Sequence, residues 1–202
     1  MRKSVSIIAV AAALALGGCG HKAEKATDAT VNGIDNVAGA TGNVIANAAD
    51  SVKEAVTPTP TVQEFVDKAA KSDAFEIASA KLAKDKAVSS DLKSFAAMMI
   101  EDHTASTAKI KKAAASAMPA ITPDATLTDD QQGKLADLAR LSGKDFDKAY
   151  ADQQIDAHKA ALSLMQVYSD KGDVPGLKTV AGDILPKVQA HLDKIRAIKD
   201  KL

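Results

Sequence analysis

Four side chains of metal-ligand type stand where the helical pattern calls for apolar ones. His103 lies within "MMIEDHTASTAKI" on the line Leu92, Ala96, Met99, His103, Ser106, Ile110, Ala113, Ala117, whose alternating steps of four and three mark a buried helix seam. His158 falls on the seam Ala151, Ile155, His158, Leu162, Met165, and His191 on Leu177, Ala181, Ile184, Val188, His191, Ile195, Ile198, Leu202. Glu76 occupies the line Phe65, Ala69, Ser72, Glu76, Ser79, Ala83. One carboxylate and three imidazoles from separate helices could hold a single Zn, Fe, Mn or Cu ion, with Asp102, Asp147, Tyr150 and Gln154 as supporting partners. The alternative is a metal-free layer in which the histidines pair by hydrogen bonds with Glu76, Asp102 and Gln154 and fix the register of similar helices. A buried, unpaired Glu76 would cost several kcal/mol or change its protonation, so either reading requires a partner for it.

These side chains meet only if the helices bring them to one height. In an antiparallel hairpin, residues equidistant from the turn face each other. Glu76 and His103 centre on residues 89–90, inside the turn expected near Val88–Ser90. His158 and His191 centre on 174–175, at the "KGDVPG" turn, so each pair should match within about one helical turn of 5.4 Å. Nothing in the sequence sets the height of the first pair against the second.

The elements themselves are helical. Only 3% of the 202 residues are aromatic, there is no Trp, and Ala and Lys recur, which favours closely packed helices over sheets. Thr61 and Glu64 have capping-box spacing and open a helix to about Ala87. A second helix begins near Ser90 and stops before Pro119. Thr128 and Gln131 repeat the box ahead of a short helix over about 129–141. A long one follows from Lys144 or Asp145 to about Asp170, and Pro175 opens the last, which Pro186 is placed to kink. Met98, Met99 and Met165 sit among apolar neighbours and read as core.

The N-terminus carries a different signal. "MRKSVSIIAVAAALALGGC" has Arg2 and Lys3, a short apolar run and small residues before Cys19, the layout of a secretory signal. "LGGC" resembles a bacterial lipobox, the alternative being an ordinary cleaved signal with an incidental cysteine; the resemblance implies a lipoprotein signal peptide over residues 1–18 and Cys19 as the acylated first residue of the mature chain. The folded part then lies on the periplasmic side of the cell envelope, anchored to a membrane by lipid. Gly20 after the cysteine favours the outer membrane in a cell that has two. The rest of residues 19–60, rich in Gly, Asn, Thr and Ala and closed by "TPTP", reads as a flexible spacer before a domain over 61–202. Acidic and basic residues balance at 26 each, so no global field recruits nucleic acid. The sequence shows no phosphate loop, nucleophile elbow or cysteine metal motif.

The blocks "FVDKAAKSDAFEIASAKLA", "LKSFAAMMIEDHTAS", "DFDKAYADQQIDAHKAAL" and "ILPKVQAHLDKI" occur in order over residues 61–202. Together they resemble the bacterial domain-of-unknown-function family 4142, envelope or secreted proteins with a ferritin-like fold. That resemblance implies a ferritin-like antiparallel four-helix bundle with an extra short helix between helices two and three. It implies no reaction. The di-iron pattern of ferritin-like proteins needs Glu-x-x-His on two helices, whereas Ile100, Ile155 and Val188 precede these histidines by three, which argues against a carboxylate-bridged dinuclear oxidase. Asp102 points away from His103 around the helix and is placed to orient a ring on a neighbour. On sequence alone the reading that demands least is a non-catalytic envelope or interaction role, protein partner unknown; the alternative is a metal-binding protein acting in metal handling or oxidative-stress defence.

Overall fold

The computed structural model describes residues 58–202. The expected signal peptide, Cys19 and the spacer up to residue 57 lie outside the described residues. Among those described there are five helices and no strand: α1 (Val62–Lys86), α2 (Ser90–Ala115), α3 (Asp129–Arg140), α4 (Gly143–Lys171) and α5 (Pro175–Lys199). None of them is long and apolar enough to cross a membrane.

The first three helices start where their capping chemistry places them. The Thr61 hydroxyl accepts the Glu64 N–H while the Glu64 carboxylate accepts the Thr61 N–H at 2.8 Å, and Thr128 and Gln131 reproduce the exchange ahead of α3. Ser89 caps α2. Gly143, at φ +61°, lets the chain turn sharply between α3 and α4 where a side chain would be strained. α2 ends three residues earlier than Pro119 alone requires, because the Ile121 N–H folds back to donate to the Ala114 carbonyl at 3.0 Å. α5 continues through Pro186 without interruption.

α1 packs against α2 and α4, and α5 packs against the same two, so the four long helices share one interior. α3 lies across α1 and α4 and contributes Leu138 to the core. That interior is divided. One apolar cluster gathers Leu92, Phe95, Met99, Phe146, Tyr150 and Ile195, and another gathers Phe65, Ile110, Met165, Tyr168, Leu177 and Ile184. Between them, along every long helix, come the buried polar residues Asp73, Glu76, Ser79, His103, Gln154, His158 and His191. Phe65 stacks on Tyr168 with ring centroids 3.8 Å apart, closing the second cluster.

The predicted seams widen in the folded chain. Ser72, Ser106, Ala113, Ile155 and Leu162 are only half-buried, while Ala70, Asp73, Phe75 and Ala80 join the buried set. A straight helix drifts against a strict seven-residue repeat, so neighbouring positions share the inward face.

One expected site residue has a different task. Asp147, read as a partner near the ion, instead accepts the Val88 N–H at 3.1 Å and the Ser89 N–H at 2.8 Å, tying α4 to the α1–α2 turn. Two backbone donors at a chain reversal satisfy both of its oxygens, which leaves none for the centre. Asp147→Ala should therefore lower unfolding stability by about 2–3 kcal/mol, measured by denaturant titration, and leave any metal stoichiometry unchanged. A loss of metal with intact stability would contradict this placement.

Candidate metal centre

His103, His158 and His191 converge in the polar layer, each buried, with one ligand atom from each ring within 4.8 Å of the others. Their ring centroids are separated by 5.9 Å, 5.6 Å and 5.5 Å. The hairpin turns set the first matches: α1 and α2 bring Glu76 Oε2 to 2.6 Å from His103 Nε2, and α4 and α5 bring His158 beside His191. The packing of α1 on α4 then brings Glu76 Oε2 to 3.7 Å from His158 Nε2.

Each ring has one nitrogen held by an acceptor behind it and the other directed inward. His103 Nδ1 lies 2.7 Å from Asp73 Oδ1, whose other oxygen accepts the Thr107 hydroxyl at 2.8 Å. The Gln154 backbone carbonyl, 2.7 Å from His158 Nδ1, can only accept, so that nitrogen carries the proton. His191 Nε2 donates to Asp102 Oδ2 at 2.9 Å, and Asp102 Oδ1 holds the Lys187 ammonium at 2.7 Å. The nitrogens left over are His103 Nε2, His158 Nε2 and His191 Nδ1, all directed inward, and those of His158 and His191 are buried without a hydrogen-bond partner. His103 Nε2 and Glu76 Oε2 face each other at ion-pair distance and pair by charge. A carboxylate or carbonyl behind each imidazole is the arrangement that fixes ring orientation and tautomer in metal sites.

Electrostatics favour a cation. Asp73, Glu76 and Asp102 surround the rings; Lys187 offsets Asp102, and His103 alone stands between the other two. Burial depresses the pKa values of His158 and His191, so both stay neutral with a lone pair directed inward. Burial also works against charge on His103, but Glu76 and Asp73 outweigh it and raise its pKa to about 10. Burial opposes the Glu76 charge as well, and His103 overcomes this and holds its pKa below the usual carboxylate range. The metal-free centre is thus an imidazolium between two carboxylates beside two neutral imidazoles. An ion would replace the proton on His103 Nε2.

Of the residues named from the sequence, the structure groups the three histidines. It sets Glu76 against two of them and places Asp102 behind His191. Gln154 serves through its backbone carbonyl, while its side chain donates to the Ser79 hydroxyl at 3.0 Å. Tyr150 is fully buried below the rings with its hydroxyl unpartnered, and burial, reinforced by Glu76, pushes its pKa up. Asp73 escaped the sequence reading because it lies just off the Ser72–Glu76 line. The available signal was its position, about as far before the α1–α2 turn as His103 is after it.

The pH dependence follows from His103. Its pKa is 6.5 when unfolded and about 10 when folded, so the stability it brings is full below pH 6.5 and is lost as pH rises through about 10. Thermal unfolding of the metal-free protein should show a midpoint that falls across this window, and His103→Gln should flatten the fall. An equal slope in both proteins would contradict the ion pair.

No curated protein matches the sequence. Two solved structures share its fold. CopM in the Cu(II)-bound form aligns with a TM-score of 0.62 and 20% identity, covering 71% of this chain and 99% of that one. CopM in the Cu(I)-bound form aligns at 0.59 and 20% identity, covering 70% and 97%. At that identity the likeness speaks for fold alone. A family profile matches residues 47–198, and the chain belongs to that family, described as "Domain of unknown function (DUF4142)".

Proposed function

We propose that this protein binds a single copper ion between His103, His158 and His191, with Glu76 beside it, and serves in metal handling at the cell envelope. The observation that carries the reading is the set of three buried ring nitrogens, close together and directed inward, whose opposite nitrogens are each held by an acceptor. A hydrogen-bonded layer would pair all of its members, whereas the inward nitrogens of His158 and His191 have no hydrogen-bond partner and only that of His103 is paired, with Glu76. That reverses the order of the two readings drawn from sequence, placing metal binding ahead of a metal-free interaction role.

Imidazole ligands suit Cu, Zn and Fe, and among divalent ions copper binds nitrogen sites most tightly. The shared fold with CopM, solved with Cu(I) and with Cu(II), supports copper among the candidate metals. We read the four long helices as a ferritin-like antiparallel four-helix bundle with α3 inserted between the second and third. The mononuclear set replaces the carboxylate-bridged pair of that class, and the reading asks for binding rather than turnover. The "LGGC" signal supports acylation at Cys19 and a place on the periplasmic side, in the outer membrane of a cell that has two.

Equilibrium dialysis of the metal-free protein should give one copper per chain, and His103→Ala or His158→Ala should abolish it. Copper at 100 times its dissociation constant should stabilise the fold by about 2.7 kcal/mol. Asp73→Asn, which leaves all three rings in place, should weaken binding by about 10–100-fold. Absence of both uptake and a thermal shift with Cu, Zn, Fe and Mn would end the metal reading. Separately, Cys19→Ser should move the protein from the membrane fraction to the soluble envelope fraction; continued membrane retention would contradict the lipid anchor.

A further inference from the structure

The histidine layer is closed on one axial side and open on the other. Toward the α1–α2 turn, Phe95 lies with its ring centroid 6.3 Å from that of His158 and 6.4 Å from that of His191, and edge-on to Tyr150 at 6.5 Å. In the other direction a cleft of about 90 Å³ leads from the surface to His103 and His191. Its walls come from residues 69–73 of α1, 102–109 of α2, 161–165 of α4 and 183–191 of α5, all at the layer or on this one side of it. Lys109, Asp183 and Lys187 are exposed at its mouth, and Ser106, one turn beyond His103 on the same helix face, is half-buried in its wall. A larger cleft of about 490 Å³ between α1, α3 and α4 touches none of the three rings.

We propose that the smaller cleft is the path by which an ion reaches and leaves the three histidines, and that the Lys187–Asp102 pair bars it. This rests on the copper reading above. Asp102 spans the path: Oδ2 holds His191 at 2.9 Å, and Oδ1 holds the exposed Lys187 at 2.7 Å. An arriving cation competes with the Lys187 ammonium for that carboxylate. Displacement costs little, because an ion pair with an exposed partner is weakly held. The freed oxygen then offers the cation a first ligand next to the ring it must reach. The volume admits a few water-sized molecules, enough for a partly hydrated ion and too little for a peptide.

The experiment separates path from site by comparing rates with affinity. Metal-free protein is mixed with Cu²⁺ in a stopped-flow instrument and binding is followed through quenching of tyrosine emission, which no Trp masks; release is followed after addition of EDTA. Ser106→Leu should slow uptake and release together by about tenfold or more while leaving the dissociation constant and circular dichroism unchanged, since exchange then waits on local opening of the helices. Lys187→Ala should speed uptake. Ala160→Leu, in the larger cleft, should alter neither rate. Unchanged rates in Ser106→Leu, or a change in release alone that tracks a changed affinity, would overturn the path. Should Ser106→Leu fail to fold, Lys187→Ala with uptake no faster than wild type would overturn it instead. A wild-type protein that binds no copper refutes the copper reading and, with it, this one; full binding with path-independent rates refutes only the path.

Discussion

A band of polar side chains crosses the middle of an otherwise apolar interior, and the rest of the structure is arranged around that burden. Two apolar clusters lie on either side of it. The band must satisfy itself, because water cannot reach most of it and an unpaired buried charge costs far more than a single packing contact returns. It does so on its outer side, where Asp73, the Gln154 carbonyl and Asp102 each take one imidazole nitrogen. On its inner side the His103–Glu76 ion pair faces two ring nitrogens, of His158 and His191, that have no hydrogen-bond partner. A protein whose polar layer served only to set register would not need that inward deficit. A bound cation would remove it.

The helices supply the precision such a centre requires. Capping boxes at Thr61 and Thr128 fix where two of them begin, and Asp147 ties the first hairpin to α4 through backbone N–H groups. The candidate ligands are carried on rigid mid-helix positions, so their spacing is set by packing rather than by loop conformation. Acceptors behind the rings add orientation. Lys187 links the one acceptor that is partly exposed to the surface, so the centre's outermost support is also its point of contact with solvent.

Much of this was legible in the residues. The helix count and starts follow from cap spacing and apolar periodicity, and the pairing of Glu76 with His103 and of His158 with His191 follows from distance to the turns. The height of one pair relative to the other was not, because the connection through α3 has no fixed axial length; packing of α1 on α4 and α2 on α5 decides it. Asp73 and Asp147 mark the two limits of seam reasoning. Asp73 sits one position off the chosen line, yet a straight helix's drift turns it inward. Asp147 sits near the candidate ligands in sequence and carries a ligand's chemistry, but its height on α4 matches the turn and not the rings.

The central claim is that His103, His158 and His191 present three imidazole nitrogens to one ion. X-ray absorption spectroscopy of the copper-loaded protein tests it most directly. The account predicts three nitrogen scatterers at about 2 Å with the multiple-scattering pattern of imidazole. A first shell dominated by sulfur, or one of oxygen alone without imidazole scattering, would contradict it.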